Sequence, residues 1–208
     1  MNAILCFGAS ITFGRGEQPC LGWVGRLKNY FEAKDYYNAV YNLGISGNTS
    51  ADLLNRFETE CKARTKKKRP EDKFVILIGI GTNDSRFIDT PDNPQTTPED
   101  FKTNILKLLE IAKKYSSEIV FVGLTPVDES KTNPYETTFF FNERVEQYNN
   151  IIKNSCDKES VLFVNLFEAW KELDHSKLLD DGLHPNSKGY DKMYEIIKEF
   201  LIEKNLIE

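Results

Sequence analysis

Residues 74–80 read FVILIGI, an unbroken apolar run rich in β-branched side chains. Successive side chains of a strand point to opposite faces of its sheet. A run without polar alternation therefore describes a strand buried on both faces. Such a strand needs a packed layer on each side. Four shorter runs have the same character: Ala3–Phe7, Val40–Leu43, Ile119–Leu124 and Val161–Asn165.

Between these runs the apolar period lengthens to that of a helix. Trp23–Ala33 carries Trp23, Val24, Leu27, Tyr30 and Phe31, and Ser50–Ala63 carries Leu53, Leu54 and Phe57. Pro98–Tyr115 opens with Thr97 as cap and Pro98 at the first helical position. Its stripe is Phe101, Ile105, Leu108, Leu109 and Ala112. Phe139–Cys156 and Ser187–Ile207 complete the set. Five alternations of strand and helix predict a parallel sheet with helices on both faces. Right-handed crossovers make it a three-layer α/β/α sandwich, flavodoxin-like, with about five strands. The 208 residues show no repeat, low-complexity tract or linker, so residues 1–208 are expected to form a single domain.

Composition narrows the function classes. A net charge of −5, with 40% hydrophobic and 28% charged residues, is that of a soluble protein and argues against a mainly nucleic-acid-binding role. The basic run KARTKKKR at 62–69 holds six cations in eight residues and is read as a solvated helix end. No stretch approaches the roughly 18–20 apolar residues of a membrane span. The apolar N-terminal run is too short for a secretory leader. Cys6, Cys20, Cys61 and Cys156 are scattered, as expected of reduced thiols, and the expected compartment is the cytoplasm. No spacing suggests a metal site or a cofactor, and the oligomeric state is left open.

Four polar clusters follow the apolar runs: GAS at 8–10, NLGISGNTS at 42–50, GIGTND at 79–84 and DDGLHP at 180–185. The first three directly follow strands, so they should meet at the carboxyl edge of the sheet, where open α/β sheets bind ligands. Two long loops, Asp84–Thr97 and Pro126–Thr138, belong to the same edge. Ser10 is there a helix cap, a phosphate ligand or a nucleophile. His175, in KELDHSK, reads as a solvated surface residue. His184 precedes Pro185, which biases it to an extended or turning backbone. It is either a loop residue or a general base, with Asp181 or Asp180 as the carboxylate that orients it. Gly47 and Asn83 suit either plain turns or an oxyanion hole, through an unobstructed backbone N–H and a side-chain amide. Asp84 reads as structural.

In this order and spacing, GAS, GISGNTS, GTND and DGLHP resemble the SGNH-hydrolase family, also called GDSL esterases and lipases. The resemblance spans residues 8 to 185. It implies a serine nucleophile at Ser10, a base at His184 oriented by Asp181, and an oxyanion hole from Ser10, Gly47 and Asn83. The family's Asp–x–x–His pattern favours Asp181 over Asp180. One position departs: the family's first block usually reads Gly-Asp-Ser, and here residue 9 is Ala. The resemblance implies a carboxylic ester hydrolase without cofactor or metal. The expected substrate is a small, short-chain ester. Carbohydrate O-acetyl esters are the alternative, with lysophospholipids or thioesters behind them. Phe139–Phe141 either wall an acyl pocket or open a helix with at least one ring in the core. A different class, a flavodoxin-like phosphate-binding module, would account for GAS but leave DGLHP without a role.

Overall fold

The computed structural model describes residues 2–67 and 69–208. Lys68, part of the basic run 62–69, lies outside the described residues. Five strands form a wholly parallel sheet: β1 (Asn2–Gly8), β2 (Ala39–Gly44), β3 (Lys73–Gly79), β5 (Glu118–Val122) and β7 (Leu162–Val164). Their order is β2-β1-β3-β5-β7, the doubly wound flavodoxin-like order. The FVILIGI strand lies at its centre. Phe74, Ile76, Ile78 and Ile80 point into one core and Val75 and Leu77 into the other.

The helices divide between these two cores. On one face pack α3 (Ser50–Arg64), α4 (Pro98–Lys113) and α6 (Asn142–Glu159), through Phe57, Leu108 and Ile152 among others. On the other pack α2 (Gly22–Glu32), α7 (Leu166–Lys171) and α8 (Ser187–Glu203), through Trp23, Trp170 and Met193. Capping explains where two of them start. Thr49 and Asp52 form a reciprocal capping box on α3, and Thr97 accepts the Asp100 N–H ahead of Pro98 on α4. Lys62 and Arg64 fall in the last turn of α3, where cations are favoured, as expected of the basic run.

Two expected helix bounds need correction, the first being the last helix, which ends at Glu203 rather than Ile207. The sixth helix begins at Asn142 rather than Phe139. Phe139 lies instead in β6 (Thr138–Phe139), which pairs antiparallel with β4 (Phe87–Ile88). The two long loops thus hold each other, and β-branched and aromatic residues near the start of the first and at the end of the second form the ladder. Of the phenylalanine triplet, Phe140 is buried in the core and Phe141 packs edge-to-face on Phe87. Two one-turn helices, α1 (Ser10–Phe13) and α5 (Glu129–Thr132), complete the elements that surround the carboxyl edge.

Candidate active site

The polar clusters meet at the carboxyl ends of β1 and β3, where the strand order reverses. β1 ends at Gly8, and α1 turns back at once. A Cβ on Gly8 would lie 2.0 Å from Thr12 Oγ1 and 2.4 Å from the Gly79 carbonyl oxygen, so only glycine lets α1 press onto β3 here. Ser10 is consequently the first residue of α1. The N-cap is Ala9, which supplies no side-chain cap, so Ser10 is not the helix cap that its position allows.

The Ser10 hydroxyl turns instead to His184, with Oγ 2.9 Å from Nε2. His184 Nδ1 lies 2.7 Å from Asp181 Oδ2. Asp181 Oδ1 accepts the backbone N–H groups of Leu183 (3.0 Å) and His184 (2.8 Å). Burial pushes the Asp181 carboxyl up. The bonds from the His184 ring and the two backbone groups outweigh it and hold the group well below the usual carboxylate range. An ionised carboxylate only accepts, so Nδ1 carries the ring proton and Nε2 is free to accept from Ser10. Asp180 takes a different place: its N–H donates to the His184 carbonyl (2.8 Å), and the residue is exposed. His175 starts a 3₁₀ turn, half-buried rather than exposed, and stands outside this chain of hydrogen bonds.

Gly47 and Asn83 sit on the two loops beside Ser10. Gly47 has φ +83° and open space where a Cβ would be, and its loop is tied to β1 by the Ile45 N–H donating to the Gly8 carbonyl (3.1 Å). Asn83 is buried and donates its amide to the Asn48 carbonyl (3.0 Å), which links the two loops. Asp84 links them again from below, accepting the Ser50 N–H at 2.9 Å and the Ser50 hydroxyl at 2.6 Å. Ser10 and Asn83 line a cavity of about 30 Å³ that runs between the strand ends to Thr125, Leu183 and Met193. Gly47 does not line this cavity. A larger cleft of about 750 Å³ lies at the opposite edge of the sheet, among Lys34, Lys73, Lys113 and Lys114, away from all of these groups. Among the described residues no group of His, Cys, Asp and Glu is arranged to hold a metal ion, and no helix is long and apolar enough to cross a membrane.

One further side chain, unforeseen in the sequence, joins the cluster. Tyr135 donates its hydroxyl to Asp181 Oδ2 at 2.8 Å. Its only sequence signal is an aromatic residue inside the polar loop TNPYET.

The chain resembles known proteins in sequence and in fold. The chain is 23% identical over 227 residues to the uncharacterized lipoprotein YqeF of Bacillus subtilis, covering 94% of this chain and 88% of that protein. It is 26% identical over 205 residues to an acetylxylan esterase of Geobacillus stearothermophilus, covering 90% and 88%. The fold matches a lipase/acylhydrolase from Enterococcus faecalis with a TM-score of 0.79 at 20% identity, over 100% of this chain and 98% of that one. The family of GDSL-like lipases and acylhydrolases matches residues 6–192. With that span, nearly the whole of the sheet and all four polar clusters, the chain belongs to the GDSL-like Lipase/Acylhydrolase family, a family of carboxylic ester hydrolases.

Proposed function

We propose that residues 1–208 form one domain that works as a serine esterase, hydrolysing carboxylic esters of small or short-chain acyl groups through an acyl-enzyme. The observation that carries this reading is the continuous chain from Ser10 Oγ through His184 to Asp181, at 2.9 and 2.7 Å. His184 Nε2 takes the Ser10 proton as Oγ attacks the ester carbonyl. The imidazolium that forms faces an ionised Asp181, which stabilises it and keeps the ring oriented. The developing oxyanion is held by the backbone N–H groups of Ser10 and Gly47 and by the Asn83 amide, which leaves the Asn48 carbonyl to do so. His184 then returns its proton to the departing alcohol. Water, activated by the same nitrogen, attacks the acyl-enzyme, releases the acid and restores Ser10.

The cavity supports a short acyl group. About 30 Å³ is room for two water-sized groups, enough for the methyl of an acetyl ester and little more. The acetylxylan esterase relative favours a second reading, an O-acetyl group carried on a carbohydrate. The four free cysteines, three of them buried, fit the cytoplasmic setting proposed here.

A fluorophosphonate probe and a series of 4-nitrophenyl esters test the reading together. The probe should label Ser10 stoichiometrically, acetate and butyrate should exceed palmitate in kcat/KM, and Ser10→Ala should abolish turnover with the fold intact. Hydrolysis by Ser10→Ala at the wild-type rate refutes the mechanism. Absence of labelling, with a phosphate compound bound instead, restores the phosphate-binding module.

A further inference from the structure

Asp181 receives four hydrogen bonds, and one comes from far away in the chain. Oδ1 accepts two backbone N–H groups from its own turn. Oδ2 accepts both His184 Nδ1–H at 2.7 Å and the Tyr135 hydroxyl at 2.8 Å. A carboxylate offers about four lone-pair sites, so Asp181 is fully subscribed and has one orientation.

Tyr135 is itself held from several sides. Its N–H and carbonyl pair with Thr138, next to the β4–β6 ladder. Its ring stands edge-to-face on Phe140, with centroids 6.3 Å apart, and on the His184 imidazole at 6.5 Å. The same segment docks on the Asp181 turn through the Asp128 N–H, which donates to the Gly182 carbonyl at 2.8 Å. Burial, with the Asp181 carboxylate alongside, pushes the phenol up to about 12, so the hydroxyl remains a donor at any working pH. A loop anchor alone would not need its one polar atom on the oxygen that His184 uses.

We propose that Tyr135 is a positioning residue for ester hydrolysis: its hydroxyl fixes the Asp181 carboxylate in the rotamer that aligns His184 on Ser10, and makes that alignment depend on the docking of residues 126–141. The proposal rests on the reading of Ser10, His184 and Asp181 above. Two donors on one oxygen also compete. Tyr135 draws density from Oδ2, and the His184–Asp181 bond is weaker than it would be alone.

Tyr135→Phe keeps the ring and removes only the hydroxyl. With 4-nitrophenyl acetate, kcat should fall about tenfold with KM within about twofold, as when a supporting partner of a site residue is lost. In an Asp181→Ala background the same change should cost less than about twofold, because no carboxylate remains to be held. The proton NMR resonance of His184 Nδ1–H should move downfield in Tyr135→Phe, as the competing donor is gone. If Tyr135→Phe does not fold, 3,5-difluorotyrosine at position 135, a stronger donor of nearly the same shape, should move the resonance upfield. A wild-type kcat in Tyr135→Phe with Ser10 labelled normally, an equal penalty in both backgrounds, or a resonance that neither change moves overturns the positioning role alone. Wild-type turnover by Ser10→Ala overturns the underlying reading and this one with it.

Discussion

Asp84→Ala removes the acceptor that fastens the Ser50 loop to the Asn83 loop. Asp84 and Ser50 are both fully buried. The carboxylate accepts the Ser50 N–H, the Ser50 hydroxyl at 2.6 Å and the Thr96 hydroxyl at 3.3 Å. Ser50 opens α3, so its N–H is one of the donors that no intrahelical carbonyl can meet. Alanine leaves that N–H and at least one hydroxyl buried without the acceptor, at about 1–3 kcal/mol each. Against this, burial holds the Asp84 carboxyl above its ordinary value despite the hydrogen bonds, so removing the charge returns part of a desolvation cost. The net loss should be about 2–4 kcal/mol. For a chain of 208 residues this lowers Tm by roughly 5–15 °C. Thermal unfolding followed by circular dichroism at pH 7 measures it, and a Tm within about 2 °C of wild type would refute the structural role. The pH dependence has a definite sign. A carboxyl raised in the fold binds its proton more tightly folded than unfolded, so its contribution to stability falls as pH rises from the ordinary value through the folded one. An amide does not titrate, so the stability of wild type relative to Asp84→Asn should grow as pH drops from 7 into the acid range.

Other perturbations separate the remaining roles. Asn83→Ala should lower kcat by roughly 10²–10³, the cost of a single oxyanion donor, with a smaller change in KM; steady-state kinetics with 4-nitrophenyl acetate reads the split, and a kcat within about threefold of wild type removes Asn83 from the hole. Asp181 has the opposite linkage to Asp84. Its carboxyl is depressed in the fold, so the stability it adds is complete above the ordinary carboxylate range and is lost only as pH falls through the folded value. Urea unfolding of wild type and Asp181→Asn should therefore show a stability difference that shrinks as pH falls below about 4. A difference that widens below about pH 4 contradicts the depressed carboxyl.

The sheet was legible because its signal is intrinsic to short segments. FVILIGI, AILCF and the three other apolar runs each became a strand within two residues of their expected bounds at either end. Thr97-Pro98 marked the start of α4 to the residue. What escaped depends on partners distant in sequence. No local property of FFF announces that Phe139 pairs with Phe87, and without that ladder its apolar residues read as the first turn of α6. The candidate site divides in the same way. Ser10 and Asn83 stand out because their residue types sit in turns after strands, and Asp181 and His184 because a histidine before a proline has a carboxylate three residues earlier. Tyr135 does not, since its place 46 residues before Asp181 is fixed only when the loop folds back. Ser10 itself was ambiguous for a physical reason. A serine at a strand-to-helix turn caps helices readily, and only the close packing of Gly8 on Thr12 moves the cap to Ala9 and frees the hydroxyl for His184.

Ala9, where the family's usual pattern has an acid, raises the question of what steadies the backbone around Ser10. The donors come from the other direction. Arg56, on α3, spreads its guanidinium across three elements, donating Nη2–H to the carbonyls of Gly8 (3.1 Å) and Leu43 (2.9 Å) and Nε–H to the Asn48 side chain (3.0 Å). These acceptors are the last turns of β1 and β2 and the loop that carries Gly47. The Gly8 carbonyl also accepts the Ile45 N–H, and a rigid planar cation with several donors can hold such carbonyls, which an ionised acid, an acceptor only, cannot. Burial lowers the Arg56 pKa, and Nη1 is buried with no hydrogen-bond partner among the described residues. That unmet donor would be costly if the cation served packing alone. Its other bonds join the backbone before Ser10 to the end of β2 and to the loop that carries Gly47. The turn at Ser10 can thus keep its geometry with a methyl at position 9, because Arg56 holds the Gly8 carbonyl just before it and no side chain at position 9 is needed for this.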